Sequence, residues 1–344
     1  MSVGVAALLS SIPLFAGIPG RERDHLARVM HPFTAPAGSV LFREGDRGDQ
    51  MYIIESGCVQ AARQTPNESR TLALLGPGSV LGELSLMGSG IRNATATAIE
   101  ETCGWSLERT AFEVLRADPR RDSLDFIRCI GDVALGRLRD RYAAISNALG
   151  GEAEPAVPRP QTLQESPPEP GDSGYLKETL FFSRLADPEI ATIVGGLRRL
   201  HAPRGVVICS SGEVPGALYI VIRGAIETTI RRGRQARRLR LAGPGRAVTH
   251  LGVLGPEPSI AECLARERAD LLEIPWDRVH ALLAGGDAAS RGFTAAFNED
   301  VVRALVQADR PTPRMVSRID RTESVGSIAA ISVGRPLATT SPRL

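Results

Sequence analysis

A chain of 344 residues is long enough for two ordinary domains, and its 43% hydrophobic content is that of a soluble globular protein. A net charge of +2 excludes a global pull towards nucleic acid or an anionic membrane. No apolar run approaches the ~18 residues of a membrane span, and five cysteines without C-x-x-C spacing (Cys58, Cys103, Cys129, Cys209, Cys263) read as free thiols in a reducing, cytoplasmic compartment.

Residues 1–32 read as helical. Leu14, Phe15 and Ile18 form an apolar patch, Leu26, Val29 and Met30 form a helical stripe, and Pro32 and Pro36 end the region. With no basic n-region, this start reads as a helix packed on the domain rather than a signal. The stretch 38–46 reads as strand and turn, Met51-Tyr52-Ile53-Ile54 as a buried strand, and Cys58-Val59-Gln60-Ala61 as the next strand after the turn Glu55-Ser56-Gly57. Residues 71–75 and the turn Gly76-Pro77-Gly78 lead to Val80-Leu81. Many short strands with Gly/Pro turns predict a β-roll or jelly-roll barrel.

The stretch from Gly82 to Thr95 carries the chemistry. Gly82 lets the backbone turn and approach a ligand. Glu83-Leu84-Ser85-Leu86-Met87 suits one helical turn, whose free N–H groups favour an anion. Gly88 and Gly90 break that turn, Arg92 offers a permanent cation with a planar fork, and the alternation from Ala94 to Ile99 resumes a strand. A carboxylate and a guanidinium around a Gly-rich turn suit a ligand with a phosphate on one side and a sugar hydroxyl on the other.

This segment resembles the phosphate-binding cassette of cyclic nucleotide-binding domains, found in regulatory subunits of cyclic-AMP-dependent kinase, the bacterial catabolite activator and nucleotide-gated channels. Gly82, Glu83, Leu84, Leu86, Arg92, Ala94 and Thr95 match the family pattern, and the "EGD…MYIIESG.V" run about thirty residues earlier is its second hallmark. The resemblance implies that Glu83 binds the ribose 2′-hydroxyl and Arg92 the cyclic phosphate, with backbone N–H groups near Ser85 and Asn93 completing the cradle. Ser85 stands where the family pattern has Ala. Asn93 stands near a place where Ser or Thr favours guanine in relatives, which leaves the base open; cyclic AMP is favoured over cyclic GMP. The binding set is therefore Gly82, Glu83, Leu84, Ser85, Arg92, Asn93 and Ala94, with no cofactor and no metal.

Residues 109–118 and 120–149 read as two helices, and in the second Leu124, Ile127, Leu138, Ile145 and Leu149 fall on one face. Relatives use this helix as a lid over the base, as a dimer seam, or both, so a homodimer through 120–149 is one expectation and a plain cover for the barrel another. Residues 150–174, rich in Pro, Gly and Glu, read as a semi-extended linker.

The chain then repeats itself at an offset of 167 residues. Gly38, Val40 and Leu41 fall on Gly205, Val207 and Ile208, Tyr52-Ile53 on Tyr219-Ile220, Gly57 on Gly224, and Gly78 on Gly245. The chemistry does not repeat: Gly82 becomes Thr249, Glu83 becomes His250 and Arg92 becomes Ser259. The second copy is expected not to take a cyclic nucleotide in the family manner. Residues 287–309 suggest a closing helix with Phe293, Phe297, Val301 and Leu305 at helical spacing, and 310–344 a disordered tail.

The sequence thus predicts a mainly β chain with flanking α helices: two β-roll barrels in tandem, each with N- and C-terminal helices. The domains are 1–149 (competent), the linker 150–174, 175–309 (degenerate) and the tail 310–344. The arginine cluster Arg231, Arg232, Arg234, Arg237, Arg238 and Arg240 has few aromatics beside it and reads as a solvated hairpin rather than a nucleic-acid site. No helix-turn-helix follows the first barrel, and P-loop, nucleophile-elbow and H-E-x-x-H motifs are missing. The expected function is a non-enzymatic cyclic nucleotide receptor that signals to an unidentified protein effector, with no membrane partner. The alternative is a ligand-free scaffold that keeps the fold.

Overall fold

The computed structural model describes residues 4–13, 15–64, 69–88, 90–118, 124–151, 163–166, 172–233 and 235–309. The expected tail 310–344, most of the linker, and Leu14, Ser89 and Arg234 lie outside these residues. The chain divides into two compact units, with the division between Ala134 and Leu135.

The first unit opens with helices α1 (Val5–Ser11) and α2 (Gly20–Val29). Eight strands follow: β1 (Met30–Ala35), β2 (Val40–Phe42), β3 (Gln50–Ser56), β4 (Val59–Gln64), β5 (Ser69–Leu75), β6 (Val80–Leu81), β7 (Thr95–Ala98) and β8 (Thr102–Glu108). The short helix α3 (Glu83–Met87) stands between β6 and β7, and α4 (Arg109–Ala117) follows β8. The strands form two antiparallel sheets, β1-β8-β3-β6 and β2-β7-β4-β5. Tyr52 and Ile54 from the first sheet and Val59, Leu75 and Ala96 from the second share one core, so the sheets pack face to face as a β-roll rather than closing into a barrel.

One boundary moves. Met30 and Pro32, expected to lie at the end of the helix, belong to β1, where Met30 faces Leu107 and Pro32 faces Trp105. β1 is an edge strand, and there a proline forfeits no ladder hydrogen bond.

Helix α5 (Leu124–Leu149) spans the division. In the first unit, the Phe126 N–H donates to Glu22 Oε1 at 2.8 Å and the Phe126 ring stacks on Phe15 at 5.8 Å. From Leu135 onwards, Leu138, Tyr142, Ile145 and Leu149 are buried in the second unit. The apolar face expected to make a dimer seam is therefore consumed within the chain, leaving exposed only positions such as Asp140, Ala144 and Asn147.

The second unit continues with β9 (Gln164–Ser166), α6 (Asp172–Glu178), α7 (Asp187–Val194), β10 (Arg198–Ala202), β11 (Val207–Cys209), β12 (Ala217–Arg223), β13 (Ile226–Arg232), β14 (Gln235–Ala242) and β15 (Ala247–Val248). A 3-10 turn (His250–Leu254), β16 (Glu262–Ala265), β17 (Ala269–Pro275), α8 (Trp276–Ala284) and α9 (Ala288–Asp309) complete it. Its sheets, β15-β12-β17-β10-β9 and β11-β16-β13-β14, reproduce the order of the first roll. The addition is β9, which pairs with β10 through Gln164, Glu165 and Ser166. Part of the expected linker is thus an edge strand. It needs only main-chain hydrogen bonds and one apolar anchor, Leu163, which packs against the second core, so low hydrophobicity did not reveal it.

The arginine cluster is also only partly solvated. A β-bulge at Leu239 interrupts the alternation of β14, so that Arg237 (4% exposed) and Arg240 (5%), three positions apart, are both buried, while Arg231 and Arg238 stay outside near Glu262 and Glu227.

Candidate functional site

Gly82 ends β6 in the left-handed region, with φ +81°, and a Cβ there would lie 2.4 Å from Arg92 Nη1. Only glycine meets both demands. The turn feeds α3, in which Glu83, Leu84, Ser85, Leu86 and Met87 are all buried. Gly90, with φ +81°, turns the chain again before the strand resumes at Thr95.

Arg92 points inward and is 4% exposed. Its Nη1 donates to Gly82 O at 3.0 Å and to Ser85 Oγ at 2.9 Å, and Ser85 Oγ donates to Gly82 O at 2.7 Å. The guanidinium lies over the Phe42 ring, 4.0 Å from its centroid. Arg92 Nε is buried and has no hydrogen-bond partner among the described residues. Burial lowers the Arg92 pKa from its ordinary value, with Tyr52, Asp49 and Glu83 acting against that and Arg109 adding to it. An arginine stays protonated regardless. Glu83 is fully buried within electrostatic reach of it. The arrangement offers an anion a desolvated guanidinium and offers a hydroxyl a buried acidic side chain.

The backbone is held as firmly as the side chain. Arg92 N donates to Asp46 O at 2.8 Å and Gly45 N donates to Arg92 O at 2.9 Å. Of the seven expected site residues, Gly82, Glu83, Leu84, Ser85, Arg92 and Ala94 are gathered around this cassette. Asn93 is half-buried, and its carbonyl accepts from Arg63 Nε at 3.2 Å and Nη2 at 2.7 Å. Arg63 in turn pairs with Glu44 at 3.1 Å.

Sequence reasoning missed Arg63, Phe42, Gly48 and Arg109. Arg109 Nη2 donates to Gly48 O at 2.7 Å and to Ser85 O at 2.8 Å, tying the start of α4 to the cassette. A Cβ at Gly48 would lie 2.1 Å from Ser85 Oγ, so this glycine makes room for the hydroxyl. The signal for Arg109 and Gly48 was their offset partners, Trp276 and Pro215. Trp276 Nε1 donates to Pro215 O at 2.7 Å, repeating the Arg109–Gly48 contact with a different side chain.

The second cassette keeps the backbone and changes the chemistry. Thr249 adopts φ +68°, the conformation of Gly82 despite its branched side chain. Small and large residues have traded places: Pro215 replaces Gly48, and Gly252 replaces Ser85 where a Cβ would lie 2.3 Å from the Trp276 ring. His250, at the place of Glu83, is buried and lies 2.8 Å from Asp300 Oδ2 on α9. Asp300 also accepts from Ala247 N at 3.0 Å and lies 3.2 Å from Arg246 and 3.5 Å from Arg240. Burial opposes its ionisation, but Arg240, His250 and Arg246 hold its carboxyl well below the usual carboxylate range. Ser259, at the place of Arg92, donates to Ala261 O at 2.7 Å. Arg266, a neighbouring cation that could have substituted, is fixed on Glu227 at 2.7 Å.

Among the described residues, no group of three or more His, Cys, Asp or Glu side chains could hold a metal, and no helix is long and apolar enough to cross a membrane.

Comparison with known proteins places these two cassettes. The model of the cyclic nucleotide-binding domain matches residues 32–118 and 199–285, together just over half of the chain. A CRP-like cAMP-activated global transcriptional regulator of Mycobacterium tuberculosis is 32% identical over 124 residues, which are 36% of this chain and 55% of the relative. The cyclic AMP receptor protein of Thermus thermophilus is 41% identical over 91 residues, 26% of this chain and 42% of the relative. The chain thus spans about half the length of these relatives. Among solved structures, the regulatory domain of Toxoplasma gondii PKA with cAMP overlaps 82% of this chain and 92% of its own, at 20% identity and a TM-score of 0.31. By the double match of the domain model, this chain belongs to the cyclic nucleotide-binding domain family and carries that domain twice.

Proposed function

We propose that the first roll is a cyclic nucleotide receptor that takes cyclic AMP in preference to cyclic GMP, and that the second roll takes neither. The observation that carries this reading is the Arg92 guanidinium, 4% exposed and with its Nε lacking a hydrogen-bond partner among the described residues, beside the buried Glu83. A buried donor left in this state is stabilised by an anion at its fork. A cyclic phosphate supplies that anion, and the adjoining ribose 2′-hydroxyl supplies a donor for Glu83. The relatives named for cyclic AMP support adenine, while the amide of Asn93 leaves the base open.

The chain is then a non-enzymatic regulatory module of the cytoplasm. Nucleotide bias between two arrangements of the cassette is passed to a protein effector. Isothermal titration with cyclic AMP and cyclic GMP tests this. The expected result is one site per chain, tighter for cyclic AMP and abolished by Arg92→Ala. No heat from either nucleotide overturns it and leaves a scaffold.

A further inference from the structure

The 167-residue offset makes 249–261 the counterpart of the first cassette, 82–94. A cavity of about 60 Å³ lies against it, bounded by residues that include Thr249, His250, Ser259, Cys263 and, from β14, Arg240. Three further lining residues, Leu138, Arg139 and Tyr142, come from α5, in the part that belongs to the second unit. Tyr142 is 6% exposed, and Arg240, Cys263 and Asp300 act on its hydroxyl, which burial above all keeps protonated.

The remaining space is too small for a nucleotide. A dry cavity of about 150 Å³ holds a single benzene ring. The surrounding chemistry suits an uncharged ring. Ser259 and Cys209 stand where the first roll has Arg92 and Phe42, and the positive charge of Arg240 is met by Asp300 at 3.5 Å. The helix is fastened on both sides of the ring. Arg232 Nε donates to Ser146 Oγ at 2.6 Å, Arg141 pairs with Asp309 at 2.8 Å, and Leu138 is fully buried.

We propose that the second roll is a receptor for a segment of its own chain, residues 138–146 of α5, with the Tyr142 ring seated in the mouth of the site that the cassette would otherwise present to a nucleotide. The degenerate copy is therefore a helix clamp, permanently filled from within. This does not depend on whether the first roll binds a nucleotide, and its test needs none in the first site.

Hydrogen exchange on the full chain tests it. Tyr142→Ala should raise exchange across 249–261 by about tenfold or more and leave 82–94 unchanged. Ala144→Gly, on the exposed face of the same helix, should loosen 135–149 without affecting 249–261. If Tyr142→Ala unfolds the whole second unit, Tyr142→Leu is read by the same criterion. Unchanged exchange at 249–261 in the Tyr142 variant overturns the proposal. So does an equal rise caused by Ala144→Gly, or protection of 249–261 by cyclic AMP in an Arg92→Ala chain that keeps Tyr142.

Discussion

The two cassettes share a backbone and little else. At 82–94 a left-handed glycine opens the turn, a guanidinium is buried over an aromatic ring, and its Nε has no hydrogen-bond partner among the described residues. At 249–261 a threonine holds the same left-handed turn, a serine closes on its own strand, and a histidine turns to an aspartate on α9. The difference teaches that the frame of the site and its ligand chemistry are separable. The β-roll with its repeated glycine turns positions the cassette, and the side chains at the places of Glu83 and Arg92 differ between the copies: His250 turns to α9 and Ser259 to its own strand.

The largest expected effect breaks the second copy. Asp300 is 3% exposed and answers Arg240, Arg246, His250 and a backbone N–H. Asp300→Asn leaves buried cations uncompensated and should destabilise the second unit by about 3–5 kcal/mol in urea unfolding. The folded-state pKa of Asp300 is depressed, so its contribution is present above the ordinary carboxylate value of about 4 and is lost as pH falls below it. Wild type and Asp300→Asn should therefore converge in acid. In the first unit Val133 stands at the matching position, and that unit should not follow.

Next comes the pair that defines the comparison. Arg92→Ala should weaken cyclic AMP binding by about a hundredfold or more, from the loss of charge-assisted bonds worth about 3 kcal/mol, while Ser259→Ala should leave titration unchanged. Gly82→Ala should weaken it by about tenfold to a hundredfold, because φ +81° is strained for alanine and the new methyl meets Arg92 Nη1. Thr249→Gly relaxes the same turn in the second copy but forfeits the bond from Thr249 Oγ1 to Ala217 O at 2.7 Å, and should shift its unfolding by less than about 1 kcal/mol. The smallest effect on binding is at Arg63→Ala. Releasing the Asn93 carbonyl should raise the Kd for cyclic AMP by about fivefold, at about 1 kcal/mol, without changing the number of sites.

Much of this was legible in the sequence because it is local. The glycine turns, the strand alternation, the 82–95 cassette and the 167-residue repeat are written in short windows, and the loss of Glu83 and Arg92 from the second copy follows from the repeat alone. What was not legible depends on contacts across long separations. Nothing near His250 announces Asp300, fifty residues on, and nothing near Asn93 announces Arg63. The arginines of β14 read as one charged face until the bulge at Leu239 buries both Arg237 and Arg240 and leaves Arg238 outside. The strand β9 has too few apolar residues to stand out, because an edge needs few.

The central claim is that one of the two copies answers a cyclic nucleotide and the other does not. Hydrogen exchange on the wild-type chain with saturating cyclic AMP reads both copies at once. Slowed exchange across 82–94 with no change across 249–261 is the predicted result. Protection of both segments, or of 249–261 alone, would contradict it.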